Sequence, residues 1–209
     1  MVPPHLDRGS DKYLWRNGAD HFVPNFSSKA TWHRIRETAP EVPWVDLIWF
    51  KEEIPRCSFV AWMAILSRLP TKDRLSSWGM NVQVQCVLCS AGQESHQHLF
   101  FMCPFVSAVW SHFSGSAWQD APTSMLEVVD LIAASPRFRV VLKLLMQVIV
   151  YCIWRERNYR IFKQVATTEA GVISIVDRMI RDRLLSISPS RPQSPSLLQM
   201  FFSLSFRPP

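Results

Sequence analysis

The chain has 209 residues, of which 48% are hydrophobic and 19% are charged, and it contains nine Trp and thirteen Phe. This composition excludes a globally disordered chain, and the length fits one domain or one domain with a loosely attached tail. Lys and Arg outnumber Asp and Glu by 23 to 17, which gives a net charge of +6. That balance leans toward anionic partners, although a solvated basic surface also explains it.

The sequence predicts an intracellular, soluble protein, with nucleus and cytoplasm equally open. The N-terminal MVPPHLDRGSDKYLW has no apolar run after a basic start, as a secretory signal requires. The most apolar stretch, from Val140 to Trp154, is shorter than the roughly 20 residues that span a bilayer, and it contains Lys143 and Gln147. We therefore expect no membrane association.

The first half of the chain is predicted to be helical after an irregular lead-in over residues 1–26. Ser27 or Ser28 can cap a helix that Pro40 ends. The clearest helix of this half begins at Pro55, a residue type that suits the first turn. Its large apolar residues recur at i, i+3, i+4 and i+7, which predicts one buried stripe: Phe59, Trp62, Met63 and Leu66.

The second half is also predicted to be helical. Helices are expected after Pro104, over SMLEVVDLIAA, from about Arg137 to Lys163, and over EAGVISIVDRMIRDRLL. In the longest of these, Lys143, Gln147 and Tyr151 make a narrow polar stripe, so most of that helix must be buried. Repeated Ser and Pro from residue 187 onward predict a disordered tail over residues 187–209. The predicted fold class is mainly α.

Residues 86–103, CVLCSAGQESHQHLFFMC, hold three of the five cysteines; we refer to them as the clip. Cys86, Cys89, His98 and Cys103 have the spacing C-x2-C-x8-H-x4-C. Structural zinc takes four tetrahedral Cys and His ligands, so this spacing predicts a Cys3His zinc site embedded in the helical domain. The alternative interpretation is three buried thiols and a surface histidine.

The sequence leaves open which histidine is the fourth ligand. His96 competes with His98, which we prefer because Glu94 lies four residues before it. On a helical turn the Glu94 carboxylate would accept the second ring N–H of His98 and fix its tautomer. Four protein ligands leave no position for water, so the zinc is expected to be structural. Cys57 and Cys152 lie in apolar helical patterns and are expected to be core residues.

Three segments together carry a family resemblance: IPRCSFVAWMAILSRLPTKDRLSSWG, CVLC and ESHQHLFFMCPFVSAVW. From about Asp46 to Trp110 the chain resembles the zinc-binding domain that follows the reverse transcriptase of plant non-LTR (LINE-like) retrotransposons. IWRERNYRIF resembles a segment that usually follows that domain. The resulting division is a lead-in over 1–26, a reverse transcriptase zinc-binding-like domain over 27–118, a helical region over 119–186 and the tail.

The resemblance implies zinc at Cys86, Cys89, His98 and Cys103. It also implies an origin in a retrotransposon polyprotein and a role in holding RNA or DNA near the polymerase. The sequence has no adjacent Asp pair for a polymerase metal site, and no P-loop, HExxH or G-x-S-x-G motif. We therefore expect a non-catalytic protein, and no small-molecule substrate is indicated.

Two functional hypotheses follow from the surface residues. The first is nucleic-acid binding by cations beside Trp62 and Trp78, because single-strand binding combines cations with aromatic rings. The candidate residues are Arg56, Arg68, Lys72 and Arg74. The alternative is a protein-interaction or structural remnant, a decaying or host-adopted copy without nucleic-acid binding, in which the tryptophans are core and the cations are solvated.

Overall fold

A computed structural model describes residues 12–18, 21–37, 40, 42, 44–114, 120–187 and 195–204. The chain divides into two compact units, Met1–Val42 and Pro43–Pro209. Within the described ranges no helix is both long and apolar enough to cross a membrane. Residues 1–11, 19 and 20 of the predicted lead-in lie outside the described part.

The first unit contains a short hairpin and one helix. Strands β1 (Trp15–Arg16) and β2 (Phe22–Val23) pair antiparallel. Helix α1 (Ser28–Ile35) begins after Ser27, whose Oγ accepts a hydrogen bond from the Ala30 N–H at 3.2 Å. Of the two candidate caps, Ser27 is therefore the one that caps α1.

The second unit is built around one long helix. Its elements, in chain order, are α2 (Val45–Ile48), α3 (Pro55–Ile65), α4 (Lys72–Ser77), a π-helical turn (His98–Met102), α5 (Pro104–Phe113), α6 (Met125–Ala134), α7 (Arg139–Phe162), α8 (Glu169–Leu185) and α9 (Leu197–Ser203). Helix α7 packs against α2, α3, the π-helical turn, α5, α6, α8 and α9. All of its residues from Leu144 to Val150 are buried, as expected. The mainly α fold class with a Cys3His cluster is confirmed.

The face that α3 buries differs from the predicted one. Phe59 is 54% exposed, and Trp62 is half-buried with its ring centroid 6.2 Å from that of Trp49. The buried side chains are small: Cys57, Ser58, Ala61 and Ala64. Small side chains at the contact allow a short distance between helix axes, so α3 lies close against the large apolar side chains of α7.

Polar side chains of the stripe predicted on α7 donate hydrogen bonds to carbonyl groups of another helix. The Gln147 side chain is fully buried, and its Nε2 donates to the carbonyl oxygens of Leu47 at 3.0 Å and Ile48 at 2.9 Å. Lys143 Nζ donates to the Asp46 carbonyl. These carbonyls belong to α2, a helix of one turn whose last carbonyls have no partner within the helix. Two polar side chains of α7 therefore fix α2 to the core.

Within the tail predicted to be disordered over residues 187–209, the structure describes one ordered helix. Helix α9 begins with a capping box between Ser196 and Gln199 and packs against α7 and α8. Phe201 and Leu204 are 1% and 2% exposed. Their burial outweighs the Ser- and Pro-rich composition on which the expectation relied. Residues 188–194 and 205–209 of the predicted tail lie outside the described part.

Candidate metal centre

The first half of the clip folds into a tight turn that carries the CxxC pair. Gln85 and Gln93 form an antiparallel bridge, and the Cys86 N–H donates to the Gly92 carbonyl at 2.7 Å. The Ser90 N–H donates to the Cys86 carbonyl at 2.8 Å, and Ser90 has φ of 58°, in the left-handed region. These bonds bring the segments before and after the CxxC pair side by side.

The second half of the clip is the π-helical turn, which carries His98 and leads to Cys103. The Cys103 N–H donates to the His98 carbonyl at 2.7 Å, a spacing of five residues. The intervening Leu99, Phe100 and Phe101 are buried, and Trp110 Nε1 donates to the Phe100 carbonyl at 2.8 Å. The apolar core therefore fixes this turn, and Cys103 is also the N-cap residue of α5.

The two halves bring four metal-ligating side chains together. One donor atom each from Cys86, Cys89, His98 and Cys103 lies within 4.8 Å of the others. Cys89 Sγ is 3.3 Å from His98 Nε2, and Cys86 Sγ is 4.0 Å from Cys103 Sγ. Tetrahedral thiolates at a zinc–sulfur distance of about 2.3 Å lie about 3.8 Å from one another. The donor set and its spacing thus fit a tetrahedral metal ion.

Hydrogen bonds to sulfur favour one thiolate within this cluster. The Cys103 thiol is the main cause that lowers the pKa of Cys86 far below its ordinary value, and the backbone N–H groups of Cys89 and Leu88 add to it. The same thiol–thiolate bond, with burial, raises the pKa of Cys103. Because the thiolate is the form that binds metal, Cys86 is prepared for ligation.

His96 and His98 lie in different surroundings. His96 Nε2 accepts a hydrogen bond from the Leu69 N–H at 3.1 Å, and its Nδ1 is 3.3 Å from Thr71 Oγ1. Burial lowers the pKa of His96, so the ring is held neutral. Both ring nitrogens of His96 therefore contact the segment between α3 and α4. The ring that lies beside the cysteines is that of His98.

Glu94 does not make the expected hydrogen bond to His98 in the part of the chain that the structure describes. Its fully buried Oε1 accepts from Arg157 Nη2 at 2.7 Å, from Arg157 Nε at 3.1 Å and from the Lys72 N–H at 3.0 Å. The expectation assumed a helical turn between residues 94 and 98, but Glu94 lies outside any helix and its N–H donates to the Val84 carbonyl. The carboxylate therefore points to α4 and α7.

Comparison with known proteins finds a family similarity for the segment that contains the clip. Residues 26–110 match the family model described as zinc-binding in reverse transcriptase. This segment resembles a reverse transcriptase zinc-binding domain. The resemblance predicted from the sequence is thereby confirmed, and the match includes the whole clip.

A curated protein is also similar to part of this chain. An uncharacterized mitochondrial protein of Arabidopsis thaliana is 36% identical over 77 residues. The match covers 36% of this chain and 54% of the relative, so the chain spans about half the length of the protein it matches. No solved structure matches the chain.

The four cations predicted to bind nucleic acid lie in different surroundings. Arg56 lies in the first turn of α3, whereas Arg68 lies three residues beyond Ile65, the last residue of this helix, which is about 16 Å long. Lys72 Nζ donates to the Gln85 carbonyl at 2.6 Å, whereas Arg74 lies over the exposed Trp78 ring at 5.1 Å. Their role in binding nucleic acid stays a prediction.

The charged residues that link the clip to α7 were not predicted from the sequence. Arg160 Nη1 donates to the carbonyls of Leu88 at 3.0 Å and Val87 at 3.3 Å, and its Nε pairs with the buried Glu156 at 2.8 Å. Arg157, as described, binds Glu94. Charged residues in a helix that must be mostly buried need partners, and this requirement could have identified Arg157 and Arg160.

Gly92 provides a test of the His98 position. A Cβ at residue 92 would lie 2.6 Å from His98 Cε1 and 3.0 Å from Nδ1. Gly92→Ala must therefore displace the imidazole from Cys89 Sγ, and we expect zinc affinity to fall by about 10- to 100-fold. Competition with a chromophoric chelator measures this affinity.

Gly18→Ala is the matched control, since a Cβ there meets only His21 Cβ at 3.5 Å, an ordinary contact. This control should bind zinc as the unaltered chain does. Equal affinity of the Gly92→Ala variant and the control would show that His98 is not a ligand.

Proposed function

We propose that Cys86, Cys89, His98 and Cys103 bind one zinc ion and that this ion has a structural role. The observation that carries the proposal is the convergence of three sulfurs and one imidazole nitrogen within 4.8 Å. Thiolate and imidazole ligands in a tetrahedral set favour zinc. Four protein ligands leave no position for a reacting water, which supports a non-catalytic role.

The protein around the cluster supports a structural role as well. Cys86 and Cys103 are 1% and 0% exposed, and both belong to the hydrophobic core. When bound, the ion would hold the CxxC turn against the π-helical turn. Arg160 and Glu94 connect those same turns to α7 and α4. The site thus joins a loop of irregular backbone to the helical scaffold.

The proposed role of this scaffold is to help bind RNA or DNA for a reverse transcriptase of retrotransposon origin. Three observations support it: the family to which residues 26–110 are similar, the net charge of +6, and the exposed cations beside aromatic rings. Catalysis is assigned to other parts of such a polyprotein. The proposed contribution of this chain is a surface that carries positive charge.

Native mass spectrometry tests the metal site. We expect one zinc ion per chain and its loss in Cys89→Ser, because three remaining ligands cannot close the tetrahedral site. Cys152→Ser is the matched control. Burial raises the pKa of Cys152 to about 11, and its thiol lies 3.8 Å from Met179 Sδ in the core. A folded chain without zinc would refute the proposal.

Binding to a labelled single-stranded RNA tests the nucleic-acid role. We expect the zinc-loaded chain to bind at low salt and to lose affinity steeply as salt increases, because phosphate contacts release counterions. Fluorescence anisotropy at salt concentrations of about 50 mM and about 200 mM measures this change in affinity. No binding at low salt would favour the protein-interaction alternative.

A further inference from the structure

The outer side of α7, towards its C-terminal end, carries cations and aromatic rings in alternation. Tyr151, Arg155, Tyr159 and Lys163 recur every four residues, and we refer to them as the α7 stripe. Arg155 Cζ lies 5.7 Å from the Tyr151 ring centroid and 5.9 Å from that of Tyr159. Lys163 Nζ lies 4.3 Å from the Tyr159 centroid. The stripe is about 18 Å long.

Helix α3 extends the stripe with one more cation. Arg56, at the start of α3, places its Cζ 5.5 Å from the Tyr151 ring centroid. The order across the surface is therefore Arg56, Tyr151, Arg155, Tyr159, Lys163. Of the four cations proposed from the sequence, Arg56 is the one that joins this row.

An apolar groove of about 630 Å³ lies beside the α7 stripe, between α7 and residues 70–83. Trp154, Ile161 and Phe162 line it on the α7 side, and Phe162 is 75% exposed. Met80, 52% exposed, lines the other side, and Lys72 is the cation there. The groove is thus an apolar surface open to solvent with positive charge beside it.

The charge of the stripe is not neutralised within the described residues. Glu94, which contacts this part of α7, and Glu156, which belongs to α7, are buried and already paired, Glu94 with Arg157 and Glu156 with Arg160. Arg155 and Lys163 have no ion pair in the described part of the chain. An anionic partner therefore meets free positive charge along this surface.

We propose that single-stranded nucleic acid binds along the α7 stripe, with phosphates at Arg155 and Lys163 and bases against the aromatic rings and the groove. A single strand exposes both its phosphates and its base faces, and sites that bind it combine cations with aromatic side chains. A duplex hides its base faces inside the stack and gains nothing from the groove. This assignment rests on the proposed nucleic-acid function and adds its location and its preference for single strands.

Paired variants of the full, zinc-loaded chain test the location. Arg155→Gln with Lys163→Gln removes two charges from the stripe. Arg178→Gln with Arg181→Gln removes two charges from α8, where Arg181 also lies over an aromatic ring, at 5.0 Å from the Phe202 centroid. Affinity for a fluorescein-labelled oligouridylate and for a DNA duplex of equal length is measured by anisotropy over a series of salt concentrations.

The stripe variant is expected to lose about 10-fold in affinity for the single strand. Its slope of log affinity against log salt should become shallower by about 1.4, the value for two lost phosphate contacts. The α8 variant should keep both affinity and slope. Equal losses in the two variants would show that net charge alone acts and would overturn the location.

The remaining outcomes distinguish the proposed binding location from the proposed nucleic-acid function. If the unaltered chain binds the single strand and the stripe variant binds equally well, the location is wrong and the nucleic-acid function stands. If the unaltered chain binds neither probe, both are wrong. Tighter binding of the duplex would overturn the single-strand preference.

Photo-crosslinking gives a measurement that needs no variant. An oligonucleotide containing 4-thiouridine, irradiated with the unaltered chain, should modify peptides that include residues 151–163. Adducts confined to the peptides around Arg68 and Arg74 would place the strand elsewhere and overturn the proposal.

Discussion

Removal of the zinc ion is expected to lower the midpoint of thermal unfolding by about 10 to 20 °C. A structural zinc ion supplies roughly 10–16 kcal/mol of binding free energy in small zinc peptides, and this energy is folding energy. The present domain has a large core of its own, so we expect about 5 kcal/mol of that energy to appear as lost stability. For a chain of this length, each kcal/mol corresponds to about 2–4 °C. Calorimetry with and without a chelator measures the shift.

The structure also predicts where metal-free unfolding begins. Cys103 is the N-cap residue of α5, and Arg160 of α7 donates to carbonyls inside the CxxC turn. Loss of the metal should therefore reduce amide hydrogen-exchange protection in residues 84–103 and in the first turn of α5, while α8 keeps its protection. Restored protection after zinc is added back is the control. Unchanged protection in the clip would contradict a structural role for the ion.

The clip and the starts of several helices could be predicted because their determinants are local. Two cysteines three residues apart can share one ion whatever the rest of the fold does. Pro104 begins α5 and Ser124 caps α6, with its Oγ accepting from the Glu127 N–H at 3.2 Å. Such contacts span only a few residues, so the sequence contains the whole interaction.

Other features depended on partners distant in the chain. The large apolar residues of α3 predicted a buried stripe, but α7 requires a face of small side chains, and that requirement is not encoded within α3 itself. Glu94 has a candidate partner four residues away in His98, yet it binds Arg157, 63 residues further on. Periodicity and local spacing cannot identify such a partner.

The second large effect is the loss of stability expected when the ion pair between Glu94 and Arg157 is broken. Both side chains are buried, at 0% and 3% exposed, and a single carboxylate oxygen receives both Arg157 hydrogen bonds. Arg157→Met keeps much of the side-chain volume but leaves the carboxylate buried without its cation. Removing one partner of a buried ion pair costs about 3–5 kcal/mol, and we expect a loss of that size in the free energy of unfolding by urea.

A second substitution separates the charge effect from lost packing. Glu94→Gln removes the uncompensated charge while its amide oxygen still accepts from the Lys72 N–H at the start of α4. The double variant should therefore be more stable than Arg157→Met alone, with a coupling energy of about 1–3 kcal/mol. The exposed pair Arg181–Asp177 is the matched control, and Arg181→Gln should change stability by less than about 1 kcal/mol. If Glu94→Gln gave no recovery, the cost would instead come from the lost contact of Arg157 with the Trp154 ring, which lies 4.9 Å from the guanidinium carbon.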